Sequence, residues 1–226
     1  SDPWYFQDPL TNQWDGLGVR LGQALAEDLG VALELVETSY GNAPAALQSG
    51  RIDVMFVLDA TEERRQTVDF IDGPLFRYSL AVLHHEGFDA ATWDDLNDAS
   101  VNLGVTLGTS IDTRLTEQLP EASISRYPSN DETVASFQSG RSDVVSMFAP
   151  ALTALQLRVG IGTISEPEPK IVAETSAGYP REAESQWGAY LTETLGAFYA
   201  DGTTARLYQE YLESRGIDPA TVPGLQ

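Results

Sequence analysis

Gln48-Ser49-Gly50-Arg51-Ile52-Asp53-Val54 returns ninety positions later as Gln138-Ser139-Gly140-Arg141-Ser142-Asp143-Val144, with six of the seven residues identical. The register holds without a gap back to Val31 and Glu121, so residues 31–55 and 121–145 are two versions of one unit. In each version an alternating stretch (Leu33-Glu34-Leu35-Val36; Ser123-Ile124-Ser125) predicts a strand, a helix ends at the glycine, and Asp-Val opens another strand. A β-α-β unit used twice predicts two α/β lobes with a cleft between them.

Elements on either side of the repeat fit the same class. Leu17, Leu21, Leu25 and Leu29 form one helical stripe, and Gly30 is placed to stop it. A helix over 43–48 and a strand over 54–58 follow, then a capped turn or short helix at Thr61-Glu62-Glu63-Arg64. Leu80-Ala81-Val82-Leu83 is a continuous apolar run, which predicts a buried strand, and a crossing between lobes is expected at His84-His85-Glu86-Gly87. Beyond it come a small helix at Trp93-Asp94-Asp95-Leu96, a strand over 101–106, helices over 110–118 and 149–159, a strand from Ile171, and two C-terminal helices parted by Asp201-Gly202-Thr203.

Composition excludes several classes. With 226 residues and 42% hydrophobic content, the chain has ample material for a packed core, and it carries no run of about 18 apolar residues that would span a membrane. Its net charge of −21 comes from 34 acidic against 13 basic residues, of which Lys170 alone is lysine. That field repels phosphate backbones and anionic lipid, so nucleic acid is not an expected partner. Solubility accounts for the charge, and steering of a cationic ligand is the sharper alternative. There is no cysteine, hence no thiolate chemistry, and histidine occurs only as His84-His85. Neither catalytic residues, a metal site nor a cofactor is expected. Asp94-Asp95, Asp2 and Asp8 read as solvated surface.

Read in order, Gly16-Leu17-Gly18-Val19, Ala46-Leu47-Gln48-Ser49-Gly50-Arg51-Ile52-Asp53, Thr61-Glu62-Glu63-Arg64, Val68-Asp69-Phe70, Gly73-Pro74, Gly104-Val105, Gly108-Thr109-Ser110 and Asp201-Gly202-Thr203 resemble the extracytoplasmic solute-binding proteins of polar amino acid ABC transporters. The resemblance covers nearly the whole chain. It implies the type II periplasmic-binding-protein fold: two Rossmann-like α/β lobes, here 1–82 with 177–226 and 83–176, joined by a hinge and closing on a small solute. It also implies a periplasmic or extracellular location, a permease partner and a monomer that is not an enzyme. Two rival readings are a small-carboxylic-acid dehydratase on the same fold and a ligand-sensing domain of a membrane receptor. The family's opening strand, which leads into the segment matched here by Pro3-Trp4, is not found in this sequence.

Site residues are assigned from the matches. Arg64 matches the arginine that pairs with a ligand carboxylate, for which a planar guanidinium fork is suited. Thr109 and Ser110, at a helix N-terminus, match the second carboxylate clamp, or else are an ordinary cap. Tyr40 matches an aromatic that stacks on the ligand, and Val57 and Thr106 fall where the family cleft is lined. Two positions depart from the pattern: Asp59 stands where a Ser or Thr is common, and Phe148 where an acid would hold the ligand ammonium. A carboxylate cannot sit against another without a proton or cation between them. Either Asp59 pairs with Arg64 while Thr109 and Ser110 hold the ligand carboxylate, or Asp59 binds a cationic group within a partial aromatic cage of Trp4, Tyr5, Tyr40 and Phe148. Each good cation-π contact is worth about 0.5–2 kcal/mol. Trp4 and Phe148 are alternatively plain core. The expected ligand is an amino acid or a related amine or carboxylate.

Overall fold

Residues 2–182 and 185–222 are described by a computed structural model. Its strands are β1 (Phe6–Gln7), β2 (Trp14–Asp15), β3 (Met55–Leu58), β4 (Asp69–Phe70), β5 (Phe76–His84), β6 (Asn102–Thr106), β7 (Ser123–Tyr127), β8 (Val144–Phe148), β9 (Thr163–Ser165) and β10 (Val172–Tyr179). Its helices are α1 (Leu17–Leu29), α2 (Ala43–Gln48), α3 (Glu62–Arg65), α4 (Ser110–Gln118), α5 (Asn130–Gln138), α6 (Ala149–Val159), α7 (Gln186–Ala200) and α8 (Thr203–Ser214).

The repeated Gln-Ser-Gly-Arg stretch closes its helix the same way twice. After α2, Gly50 (φ 67°) donates to Leu47 O and Arg51 N donates to Ala46 O. After α5, Gly140 (φ 71°) donates to Phe137 O and Arg141 N donates to Ser136 O. This pair of bonds is the Schellman closure, in which a left-handed residue satisfies the last helical carbonyls and turns the chain back. β3 and β8 leave from these closures.

The chain divides into two compact units: residues 3–77 with 174–219, and residues 78–173, which residues 2 and 220–222 join. Both crossings fall within strands, β5 and β10, and the first lies earlier than the His84-Gly87 stretch read from sequence. His84 instead belongs inside the second unit, where its Nε2 lies 2.8 Å from Ser165 Oγ. Asp2, read as surface, is buried.

In the second unit β5 pairs antiparallel with β8 and β9, and β6 pairs parallel with β7 and β8. Side chains alternate across this sheet, so its two faces build two cores. Leu80 and Val82 of β5 join Leu103, Ile111 and Leu115 on one face, while Ala81 and Leu83 join Phe137, Met147 and Leu152 on the other. A sheet covered on both sides needs near-continuous apolar strands, which is why the run 80–83 is uninterrupted. In the first unit β10 pairs antiparallel with β3 and β4, and α2, β3 and β4 share a core of Ala43, Leu47, Leu58, Val68 and Phe70.

One expected strand does not form. Residues 31–39 take no regular structure, and Val31, Leu33, Leu35 and Val36 are exposed. The alternating pattern is there, but a strand exists only through its ladder, and among the described residues nothing pairs with this stretch. Among those residues β3 is paired on one side only, by β10, and a groove of about 670 Å³ is lined by Leu33, Leu35, Val54, Phe56, Gly18 and Gly22.

The two closures make a signed prediction. Nothing lies within 4 Å of a Cβ built on Gly50, Gly140 or Gly196, so substitution there acts through the backbone alone. Gly50→Ala and Gly140→Ala should each lower stability by about 1–2 kcal/mol, because an L residue is strained at positive φ. Gly196→Ala, inside α7, should raise it by roughly 0.5–1 kcal/mol. Urea denaturation of the three variants tests the contrast in sign.

Candidate functional site

Seven of the ten residues singled out from sequence lie at or just beyond the carboxyl ends of strands, the edge at which open α/β sheets place ligands. In the first unit these are Val57 near the end of β3, Asp59 just past it, and Arg64 in α3. In the second they are Thr106 at the end of β6, Thr109 and Ser110 beyond it, and Phe148 at the end of β8.

Val57 has φ 54°, a left-handed conformation that is rare for a β-branched residue and costs on the order of 1–3 kcal/mol. The β3–β10 register shifts at the same place, between Ser176 and Ala177. Such a bulge bends the strand and re-aims the residues that leave it. Among these is Asp59, whose main-chain oxygen accepts Thr61 N and Arg64 Nη1, both at 2.9 Å. Thr61 caps α3 by accepting Arg64 N. Arg64 is 8% exposed, so a guanidinium is withdrawn from water and anchored on main chain at a strand end. Burying a cation is costly unless acceptors or an anion meet it, and such a group is suited to an anionic partner.

The aromatic candidates separate. Trp4 is 3% exposed, stacked on Tyr208 at 5.8 Å and edge-on to Phe76 at 6.3 Å. Tyr5 turns its ring against Gly18, where a Cβ would come within 2.4 Å, and donates from its hydroxyl to Phe56 O at 2.8 Å. Its phenol end is enclosed although the residue is partly exposed overall, and burial pushes its pKa well above the ordinary 10.0, with the neighbouring Tyr40 adding to the rise. Tyr40 packs beside Tyr5 against the α2–β3 core. Trp4 thus packs on Tyr208 and Phe76, while Tyr5 and Tyr40 border the α2–β3 core.

In the second unit Thr109 is the N-cap of α4. Its hydroxyl accepts Asp112 N at 3.2 Å and donates to Thr106 O at 2.7 Å. Gly108 (φ 74°) makes the preceding turn and donates to Asp112 Oδ2 at 3.4 Å, while Arg126 Nε holds the same carboxylate at 2.8 Å through Oδ1. The first turn of α4 thus already contains an acid, Asp112, which complements the helix dipole. The Thr106 hydroxyl donates to Asn130 Oδ1 at 2.7 Å and lies 2.9 Å from Thr133 Oγ1. Phe148 is partly exposed, with its ring centroid 4.2 Å from that of Tyr78.

Asp112 and Tyr78, which sequence reading passed over, contact these candidates: Asp112 through Thr109 and Gly108, Tyr78 through Phe148. Asp112 carried a signal, since an acid three residues into a helix is a common partner of a Thr cap. Tyr78 carried none, because its pairing with Phe148 is made across strands. Among the described residues no group of three or more His, Cys, Asp or Glu is placed to hold a metal ion, and no helix is long and apolar enough to cross a membrane.

Comparison with known proteins bears on most of the chain. The sequence profile of the bacterial extracellular solute-binding proteins, family 3, matches residues 1–214. An L-cystine-binding protein of Escherichia coli (strain K12) is 30% identical over 145 residues, which are 63% of this chain and 53% of the relative. The chain spans about half the length of that curated relative. Among solved structures, an ancestral amino acid-binding protein described as a precursor of cyclohexadienyl dehydratase superposes with a TM-score of 0.81 at 27% identity, over 93% of this chain and 90% of that one. An amino acid ABC transporter substrate-binding protein of Streptococcus pneumoniae bound to L-arginine shares the fold, with a TM-score of 0.84 at 21% identity over 94% and 91% of the two chains.

Tyr5 supplies a prediction with a definite sign. Its folded pKa is raised, so the stability tied to its neutral form is present below the unfolded value near 10 and is lost as pH rises above it. Ultraviolet titration should show a late ionisation, as the protein unfolds, whose amplitude falls by one tyrosine equivalent in Tyr5→Phe. That variant should cost about 1 kcal/mol for the lost bond to Phe56 O. A late ionisation of unchanged amplitude in the variant would remove Tyr5 from it.

Proposed function

The chain belongs to family 3 of the bacterial extracellular solute-binding proteins, and from that premise we propose that it captures an amino acid, or a related amine or carboxylate, outside the cytoplasm and passes it to an ABC transporter permease. The observation that carries this reading is Arg64: a buried guanidinium anchored on Asp59 O, carried by a short helix that Thr61 caps just beyond the carboxyl end of β3. It takes the ligand carboxylate through parallel hydrogen bonds. Thr109 and Ser110 add donors at the start of α4, and the two-lobe closure implied by the family resemblance converts ligand contact into a shift of population. The protein acts as a monomer in the periplasm or on the cell exterior and does no chemistry on its ligand.

Several observations support the amino acid class. The relatives are described as binding L-cystine, amino acids or L-arginine. The two histidines, which a Ser-His-Asp arrangement would recruit, are engaged in the second unit's own packing: His84 beside Ser165, and His85 stacked on Phe137 at 4.2 Å. Asp59, five residues before Arg64 and in place of the family's Ser or Thr, sets the departure from ordinary α-amino acids, because a carboxylate at that position favours a ligand with a positive group. A net charge of −21 favours approach of the same ligands.

Calorimetry over amino acids, betaines, polyamines and small dicarboxylates tests the proposal, with recovery of the ligand unchanged as the check against turnover. Arg64→Ala should weaken any carboxylate ligand by about 1.5–3 kcal/mol, roughly 10- to 150-fold. Asp59→Ser should bring gains among neutral amino acids at the expense of cationic ones. Undiminished carboxylate affinity in Arg64→Ala would remove that residue from the site, and an unchanged ligand profile in Asp59→Ser would remove Asp59 from selectivity.

A further inference from the structure

The helix that carries Arg64 is only four residues long, and nothing intrinsic to so short a segment holds it. Its N-terminal end is fixed locally, by the Thr61 cap. Its C-terminal end is fixed from far away in sequence. Arg181, two residues past the end of β10, donates from Nη1 to Gln66 O at 2.9 Å and from Nη2 to Arg65 O, with Val68 O at 3.5 Å. The Nε of the same group donates to Asp69 Oδ1 at 2.9 Å. One guanidinium thus gathers the carbonyls that leave α3 and ties them to β4, which is itself paired with β10 through Phe70↔Gly178 and Asp69↔Tyr179.

The chemistry suits this task. The last carbonyls of a helix have no partners of their own and form the negative end of its dipole, so a cation with several donors satisfies both needs. Arginine has five donors in a fixed planar fork, whereas lysine offers one compact ammonium and cannot span the same acceptors. The Arg181 side chain is 49% exposed, so its ion pair with Asp69 adds little to global stability. Its value lies in geometry: the carbonyl of Arg64 accepts Thr67 N and Val68 N at 3.0 Å, and the turn made by those bonds is the one that Arg181 clasps.

We propose that Arg181 is a positioning residue for Arg64, clasping the C-terminal turn of α3 so that the Arg64 guanidinium stays aimed on Asp59 O and ready for a ligand carboxylate. This rests on the reading of Arg64 as the carboxylate anchor.

The first test needs no ligand. The guanidinium resonances of Arg64 in a ¹⁵N spectrum are identified by their loss in Arg64→Ala, and in Arg181→Ala they should shift, with solvent exchange at least about tenfold faster as the turn loosens. Should Arg181→Ala fail to fold, Arg181→Lys keeps the charge and loses the fork, and the Arg64 resonances should still move. Arg64 resonances left unchanged in a folded variant overturn the proposal. The second test uses L-arginine and L-arginine amide in calorimetry. Arg181→Ala should weaken the acid by about threefold to tenfold, less than Arg64→Ala because the group is loosened rather than removed, and should leave the amide nearly unaffected. The double variant should bind no more weakly than Arg64→Ala alone, whereas additive losses would mark a general structural effect and overturn the proposal. If the unaltered protein binds no L-arginine, the carboxylate reading of Arg64 is weakened, while the resonance test still decides the role of Arg181.

Discussion

A glycine held at positive φ at the end of α2, and another at the end of α5, are the constraint on which the rest of this structure depends. Each closes its helix with the same two hydrogen bonds and sends the chain into a strand. The strand that leaves the first closure ends at Leu58, with Asp59 just past it; the one that leaves the second ends at Phe148. Asp59, Arg64 and Phe148 lie downstream of these turns, and an altered exit angle would displace them together with their strands.

From that scaffold the two units meet opposite polar problems. The first unit withdraws a cation from water and must supply acceptors for it, which it does with main-chain oxygen at Asp59 and a bulged strand end at Val57. The second withdraws an anion, Asp112, and supplies it with Arg126 and the Gly108 amide at the start of α4. Strain is concentrated at the first of these. A β-branched residue in the left-handed region persists only where its neighbours over-determine it, and here β10 and the core around Leu58 do so.

Sequence reading served well where the signal was local. The α1 stripe with its Gly30 stop, the Thr61 and Thr109 caps and the apolar run 80–83 are formed by residues within a turn or two of one another, and all were legible. It went astray at Leu33-Glu34-Leu35-Val36, where the period of two is real but no ladder partner lies beside it among the described residues. Periodicity reports which face a strand would bury, and says nothing about whether a neighbour exists to pair with it. Trp4 illustrates the same gap: an aromatic near the start of the chain reads equally as recognition or packing, and its stacking on Tyr208 is a contact across about two hundred positions.

By itself the sequence determined the α/β class, the duplicated unit and the order of nearly every element, because caps, glycine stops and hydrophobic periods act over a few residues. It also singled out Arg64 and Asp59, five positions apart and so within one local turn. Tertiary structure alone decided what holds that turn. Arg181 reaches Arg65, Gln66 and Asp69 from more than a hundred residues away, and no motif announces it, since a half-exposed arginine is indistinguishable in sequence from solvated surface. Long-range hydrogen bonds to main chain depend on where a carbonyl points, and that direction exists only once the chain has folded.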